Sequence, residues 1–348
     1  MADPAVQRFL VKTLLSLPTP ILRALSGGGV VYQGGRTLDA RFQFLAQAAK
    51  SMPPITGMAP DMVRAGSAKA LGSVAGRTEP GVRTESLHIE GPRGPIPLRV
   101  YRPPVQNPAS AVLVFAHFGG GVIGDLETSD AFCSILAKEA QCAVISVDYR
   151  LAPEDRFPAG LEDTLAAYRY ARDNAARFGA PEGQAAIGGD SMGGNFAAIV
   201  CQELKRAGEP QPALQLMIYP CTDVASETPS MTTYGDAFPL TRGMMDWFMG
   251  HYLGPDDDPA GVRLSPLREK ELPGLAPAVL ATAGFDPLVD QGEAYARALN
   301  AAGVTVRYRC YDSLSHAFVA FTGAIPAADA ACREIAGLVR GLYEERAA

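Results

Sequence analysis

The rhythm of apolar and polar positions changes once along this chain, near residue 85. Upstream, apolar residues recur at helical spacing between breaks at Gly27-Gly28-Gly29, Gly34-Gly35 and Pro53-Pro54. The clearest helix is predicted over 38–50, with Thr37 as its N-cap. Val6, Phe9, Leu10 and Leu14 form one apolar face, expected to cover something inside the protein. No strong strand is predicted before residue 85.

Beyond it the period shifts to two. Residues 86–90 and 98–102 alternate around Gly91-Pro92-Arg93-Gly94, which reads as a hairpin. Short apolar runs then alternate with longer amphipathic ones. Strands are predicted over 111–116, 143–147, 185–188, 214–219, 278–283 and 304–311. Helices are predicted over 128–140, 160–177, 193–206, 291–302 and from 327 onward. The strands are apolar along nearly their whole length, so both faces of the sheet must be covered. That describes an α/β fold with a mostly parallel central sheet and helices on both faces. A helical interruption over 222–266 splits the pattern. With the segment 1–80 it is expected to fold over the sheet as a lid, leaving 81–221 and 267–348 as two parts of one core.

Composition narrows the function. The chain has 348 residues, 47% hydrophobic and 20% charged, enough to bury a large core. Lys plus Arg number 31 and Asp plus Glu 37, for a net charge of −6. An acidic balance argues against nucleic acid and for a neutral small-molecule substrate. Cys133, Cys142, Cys201, Cys221, Cys310 and Cys332 include no C-x-x-C pair and no zinc or disulfide spacing. They read as small buried hydrophobes in a reducing compartment. Lys12, Pro18, Pro20 and Arg23 interrupt the opening apolar stretch, so neither a secretory signal nor a membrane span is expected, and the expected location is cytoplasmic.

The most informative stretch is Gly189-Asp190-Ser191-Met192-Gly193, which fits G-x-S-x-G between a predicted strand and a predicted helix. In that setting a strained turn pushes the serine out at the carboxyl edge of the sheet. Glycines two before and two after it let neighbouring chain approach. The helix N-terminus behind it favours developing negative charge. Ser191 is therefore the candidate nucleophile. His117-Phe118-Gly119-Gly120-Gly121 follows the strand over 111–116, and backbone N–H groups on glycine serve well as oxyanion donors.

A rival reading takes Gly119 to Gly124 as G-x-G-x-x-G, with Asp148 ending the next strand, as in a dinucleotide site. The next helix is predicted to begin only near Thr128, so a phosphate would miss its N-terminus. That reading also leaves Ser191 and His316 without roles.

Of four histidines, His88, His117 and His251 fall in the hairpin, before the glycines and in the helical interruption, and read as structural. His316 alone follows the last strong strand. The acid of a serine triad belongs after the preceding strand, where Asp286 is nearest its end. Asp290, read as a helix N-cap, is the alternative. In these roles His316 takes the Ser191 proton and Asp286 fixes its tautomer.

These residues resemble the hormone-sensitive-lipase group of α/β-hydrolase esterases, the bacterial family IV type, from about Leu98 to the C-terminus. Gly189-Asp190-Ser191-Met192-Gly193-Gly194 is similar to that group's GDSAGG, and Tyr149-Arg150-Leu151-Ala152-Pro153-Glu154 matches YRLAPE. Asp286-Pro287-Leu288 and His316-Ala317-Phe318 resemble its acid and histidine loops. The resemblance implies a serine carboxylesterase of the α/β-hydrolase fold, hydrolysing short- to medium-chain carboxylic esters through an acyl-enzyme. It implies no cofactor or metal, a helical cap and, often, a homodimer. By alignment with the group's HGGG motif, Gly119 and Gly120 are the oxyanion donors, joined by Met192. The chain departs from the group at Phe118, where the first motif glycine is expected, and at Met192, where alanine is usual. Both departures bear on the acyl side of the pocket. Phe118, Phe238, Met244 and Phe248 are the foremost candidates for substrate contact, with Leu240, Met245, Trp247 and Tyr252 beside them. An amidase or lactonase on the same triad, or a non-catalytic receptor on the same fold, are the alternatives. A receptor is expected to lack a triad member.

Overall fold

The computed structural model describes residues 4–347. Its opening fifth is mostly helical: α1 (Pro4–Leu15), α2 (Thr19–Leu25), a two-residue pair β1 (Tyr32–Gln33) and β2 (Arg36–Thr37), α3 (Ala40–Ala49) and α4 (Pro60–Val74). The hairpin β3 (Arg83–Gly91) and β4 (Gly94–Arg102) follows. Strands and helices then alternate: β5 (Val112–Ala116), α5 (Asp130–Glu139), β6 (Val144–Val147), α6 (Ala159–Asp173), β7 (Ala185–Asp190), α7 (Met192–Arg206) and β8 (Gln215–Ile218). After α8 (Pro229–Thr233) and α9 (Arg242–Tyr252) come β9 (Ala278–Phe285), α10 (Val289–Ala301), β10 (Val306–Ser315) and α11 (Pro326–Ala347).

Eight strands form one sheet in the order β10-β9-β8-β7-β5-β6-β4-β3. β5 to β10 pair in parallel, and the β3–β4 hairpin joins antiparallel along β6. The expected mostly parallel α/β architecture is thus present, and its central strands are buried throughout. Along β5, Val112 and Val114 pack toward α6, α7 and α10, through Leu161, Phe196 and Leu299. Leu113 and Phe115 face α5 and α11, through Phe132, Ile335 and Val339. Side chains alternate across a strand, so apolar residues at every position mean two cores, one per face.

Several local expectations shift. Asp39, not Thr37, caps α3, its Oδ1 accepting from Arg41 N at 2.7 Å. Thr37 is taken by the β1–β2 pair. α6 ends at Asp173 and continues as a 3₁₀ turn over Ala175–Phe178. Asp290 is not an N-cap: it sits in the first turn of α10, and its Oδ2 accepts from Ser230 N of α8 at 2.8 Å. The expectation for the face of Val6, Phe9, Leu10 and Leu14 fails outright, because all four side chains face solvent. α1 turns Arg8 and Lys12 inward instead, to carbonyl oxygens at the end of α4. All six cysteines are free thiols, five of them buried. No helix among the described residues is long and apolar enough to cross a membrane.

Candidate active site

β7 lies between β5 and β8 in the middle of the sheet, and the chain turns from it into α7 through Ser191. Ser191 holds φ 56° and ψ −113°, a left-handed backbone that costs a non-glycine residue roughly 1–3 kcal/mol. The turn is tight enough to dictate its neighbours. A Cβ on Gly193 would lie 1.9 Å from Ala116 O, and one on Gly189 would lie 2.3 Å from Gly193 backbone atoms. Only glycine fits at either place, so G-x-S-x-G here records two close backbone approaches. Strain gathers at this edge of the sheet. Tyr219, just after β8, and Ala317, just after β10, also have positive φ, at 36° and 59°.

The structure brings Ser191, His316 and Asp286 together at this edge. His316 Nε2 stands 3.0 Å from Ser191 Oγ, and Asp286 Oδ2 stands 2.6 Å from His316 Nδ1. Asp286 follows β9 and is fully buried, and its other carboxylate oxygen accepts from Leu288 N at 2.8 Å. That bond fixes the carboxylate's orientation. Ser315 Oγ, one residue before the histidine, donates to Phe285 O at 3.0 Å, tying the ends of β9 and β10. The Tyr219 ring packs 4.7 Å from the His316 ring. Asp290 is held by α8 and takes no part.

Opposite Ser191, the loop after β5 folds back through Gly119, Gly120 and Gly121, at φ 131°, 63° and 73°. Its outward turn is anchored at several points. Gly119 O accepts from Val122 N and Ile123 N at 3.0 Å, and Arg64 Nε donates to Val122 O at 2.8 Å. His117 Nδ1 lies 2.7 Å from Phe118 O, with Tyr149 stacked on its ring and donating to His117 O. Burial pushes His117 down to about 4, so the ring is neutral and donates its Nδ1–H to that carbonyl. His117 is thereby placed as loop support and does not line the cavity. Among the described residues, the N–H groups of Gly119 and Gly120 have no protein acceptor. Met192 opens α7, so its N–H has no partner within the helix either. All three residues line the cavity that holds Ser191 and His316.

That cavity measures about 940 Å³ and is lined mostly by apolar side chains. Phe118, Phe238, Met244 and Phe248 all line it, as do Leu240 and Met245. Trp247 and Tyr252 do not: Trp247 packs edge-on to Phe248 and His251, and Tyr252 lies against Gly121. Phe248 lies so close to Gly120 that a Cβ there would fall 2.4 Å from its ring. The other walls come from Val11 of α1, Leu45 of α3, Val74 of α4, Cys221 and Leu288. No motif marks those residues, and only the fold carries them to the site.

Asp190 lies directly behind the nucleophile and was not singled out by sequence beyond its place in the motif. It is fully buried and accepts from Tyr219 O–H at 2.9 Å, while its other oxygen finds no partner among the described residues. Burial pushes this carboxyl up to about 8.

The family model described as the α/β-hydrolase fold matches residues 113–320, more than half of the chain. Among curated proteins, the chain is 44% identical over 319 residues to the carboxylic ester hydrolase LipN of Mycobacterium tuberculosis, covering 89% of this chain and 84% of that one. It is 40% identical over 237 residues to an ethyl acetate hydrolase of Pseudomonas putida, covering 67% and 74%. Among solved structures, an α/β-hydrolase enzyme from the metagenome of Lake Arreo superposes with a TM-score of 0.83 at 37% identity, over 87% of this chain and 96% of that one. A hyperthermophilic esterase from Pyrobaculum calidifontis superposes at 0.80 with 36% identity, over 86% and 97%.

Proposed function

The chain belongs to the α/β-hydrolase family, within its hormone-sensitive-lipase-like esterases, and from that premise we propose a mechanism residue by residue. It is a carboxylic ester hydrolase acting on small molecules. Ser191 Oγ attacks the ester carbonyl as His316 Nε2 takes its proton. Asp286 holds His316 in the tautomer that leaves Nε2 free and stabilises the imidazolium that forms. The oxyanion is met by the N–H groups of Gly119, Gly120 and Met192, each contributing roughly 3–4 kcal/mol in the transition state. His316 then protonates the leaving alcohol, and water, activated by the same histidine, releases the acid from Ser191.

The single observation that carries this reading is the unbroken chain of hydrogen-bond contacts from Ser191 Oγ through His316 to Asp286 at the edge of the cavity. Residues 1–80 and 222–266 form the cap, supported by their contribution to the cavity walls. Phe118, Phe238, Met244 and Phe248 contact the substrate. A cavity of about 940 Å³ lies at the upper end of small-ligand sites, roughly 300–1,000 Å³, and supports medium as well as short acyl chains. Free cysteines support a reducing, cytoplasmic setting. Self-association into a dimer rests on the family resemblance alone, and light scattering reads it.

Hydrolysis of p-nitrophenyl esters of graded chain length, wild type beside Ser191→Ala, tests the mechanism. The expected result is fast turnover that peaks at short to medium chains and is lost in the variant. Equal rates in both proteins, or none in either, would remove Ser191 from its role.

A further inference from the structure

α1 buries Leu15 and packs Val11 on the core, yet leaves a second apolar face in solvent. Val6, Phe9, Leu10 and Leu14 recur at helical spacing on one face and are between 43% and 68% exposed. The basic side chains face inward. Arg8 donates to Ala75 O at 3.0 Å and to Gly76 O at 3.2 Å, and Lys12 Nζ donates to Ala75 O at 3.3 Å. These carbonyls lie at the C-terminal end of α4, where unpaired C=O groups and the helix dipole favour cations. An apolar edge, Leu15 and Val11, and these polar contacts together hold the helix, while the face of Val6, Phe9, Leu10 and Leu14 has no partner among the described residues. α2 repeats the pattern one turn apart, with Ile21 and Leu25 exposed. Apolar side chains grouped on one helix face mark an interaction surface, unlike single exposed leucines.

Charge points to the partner. Residues 1–80 carry nine Lys and Arg against four Asp and Glu, a net +5 within a chain whose total is −6. Lys50, Lys69 and Arg77 are exposed, and Arg77 stands near Lys12. The same segment borders the cavity: Gln7 and Val11 of α1 line it, and so do the exposed Lys50 and Met52.

We propose that α1 docks this protein onto an anionic lipid surface, seating the mouth of the cavity against it. Twelve residues make a helix of roughly 18 Å, too short to span a bilayer, so it lies in the interface with its apolar face down. The exposed Lys50, Lys69 and Arg77 meet the headgroups, each strengthening binding about fivefold. A second copy of the chain fits this surface poorly, because a two-fold contact through α1 would set one basic segment against another. The docking rests on the surface alone. Only its use, delivery of a lipid-dissolved ester to Ser191, rests on the proposed reaction.

The test uses full-length Ser191→Ala protein, which separates binding from turnover. It is sedimented with vesicles of phosphatidylcholine alone, or with about 30% phosphatidylglycerol, at ~0.1 M salt. The expected partition coefficient is at least tenfold higher on the mixed vesicles. It should fall severalfold at ~1 M salt, where the screening length shrinks from about 10 Å to about 3 Å. Phe9→Glu with Leu10→Glu should lower it at least tenfold. In the Ser191 background the same pair should leave hydrolysis of a water-soluble short ester within about twofold, which shows the fold intact. Arg77→Gln, an exposed change, should lower only the preference for mixed vesicles. Absence of vesicle binding, equal binding to both compositions, or a dimer that the Phe9/Leu10 pair converts to monomer would each overturn the proposal.

Discussion

The turn at Ser191 and the helix α1 solve opposite problems with opposite means. Around Ser191 everything is fixed: β7 is buried at every position, Gly189 and Gly193 admit no side chain, and three residues with left-handed backbone stand at one sheet edge. α1 is held by Val11, Leu15 and a few polar contacts to one helix end, and Val6, Phe9, Leu10 and Leu14 are left in solvent. The first region keeps reacting atoms within tenths of an ångström, which requires a surrounding core that cannot relax. The second has no reacting atoms to hold. It can expose apolar surface at little cost to the core, and its own interior residues still shape the cavity. Precision and adaptability are thus separated along the chain, in the sheet edge and in the first 80 residues.

The contrast can be broken or sharpened at single residues. The largest expected effect is at Asp286→Asn. Loss of the carboxylate should cut kcat by about 10⁴-fold with the fold retained, since the wrong tautomer of His316 is then favoured. Steady-state hydrolysis of a p-nitrophenyl ester measures it, and a loss under about 100-fold would mean that another acid serves. Next comes Gly193→Ala. Its Cβ would meet Ala116 O at 1.9 Å, and denaturant unfolding should show a loss of about 3 kcal/mol or more.

Asp190→Asn should change the pH dependence of stability. The native carboxyl is pushed up to about 8, whereas the unfolded chain releases that proton near 4, so stability falls as pH rises through this window. His117, pushed down to about 4, acts in the other sense: the unfolded chain takes up a proton below about 6.5 and the native chain does not. The two oppose each other below about 6.5, and Asp190 acts alone between about 6.5 and 8. The wild-type melting temperature should therefore drop by a few degrees from pH 6.5 to 8, and the Asp190→Asn protein should lose that drop. An unchanged slope would show that Asp190 is ionised in the native state. The smallest effect belongs to α4, beside α1. A Cβ on Gly66 would meet nothing within 4 Å, so Gly66→Ala should stabilise by about 0.5–1 kcal/mol. Thermal unfolding of this variant beside Gly193→Ala places the same chemical change at the two extremes.

What the sequence made legible follows the same division. The sheet could be read because β5 to β9 are apolar at nearly every position, and a strand buried on both faces has few other ways to look. Ser191, Asp286 and His316 could be placed because each follows a readable strand. Contacts between distant elements could not. Asp290 resembled a helix cap until Ser230, 60 residues earlier, was found to donate to it. The α1 face looked interior because its periodicity is that of a buried helix. The carbonyls at Ala75 and Gly76 that turn its basic side inward leave no mark in sequence. Asp190 was visible as a letter in a motif, but Tyr219, which meets it, follows the next strand.

The chain has a single tryptophan, and it lies in α9. Trp247 packs edge-on to Phe248, the residue that presses on Gly120, and lies 4.5 Å from the His251 ring. The native protein is therefore a one-fluorophore instrument, and all of its indole emission originates one residue from the wall of the cavity. A ligand that shifts Phe248 alters the emission colour or lifetime of that indole, with no label and no background from a second tryptophan. Occupancy of the site can then be titrated optically in the Ser191→Ala protein, where no turnover consumes the ligand.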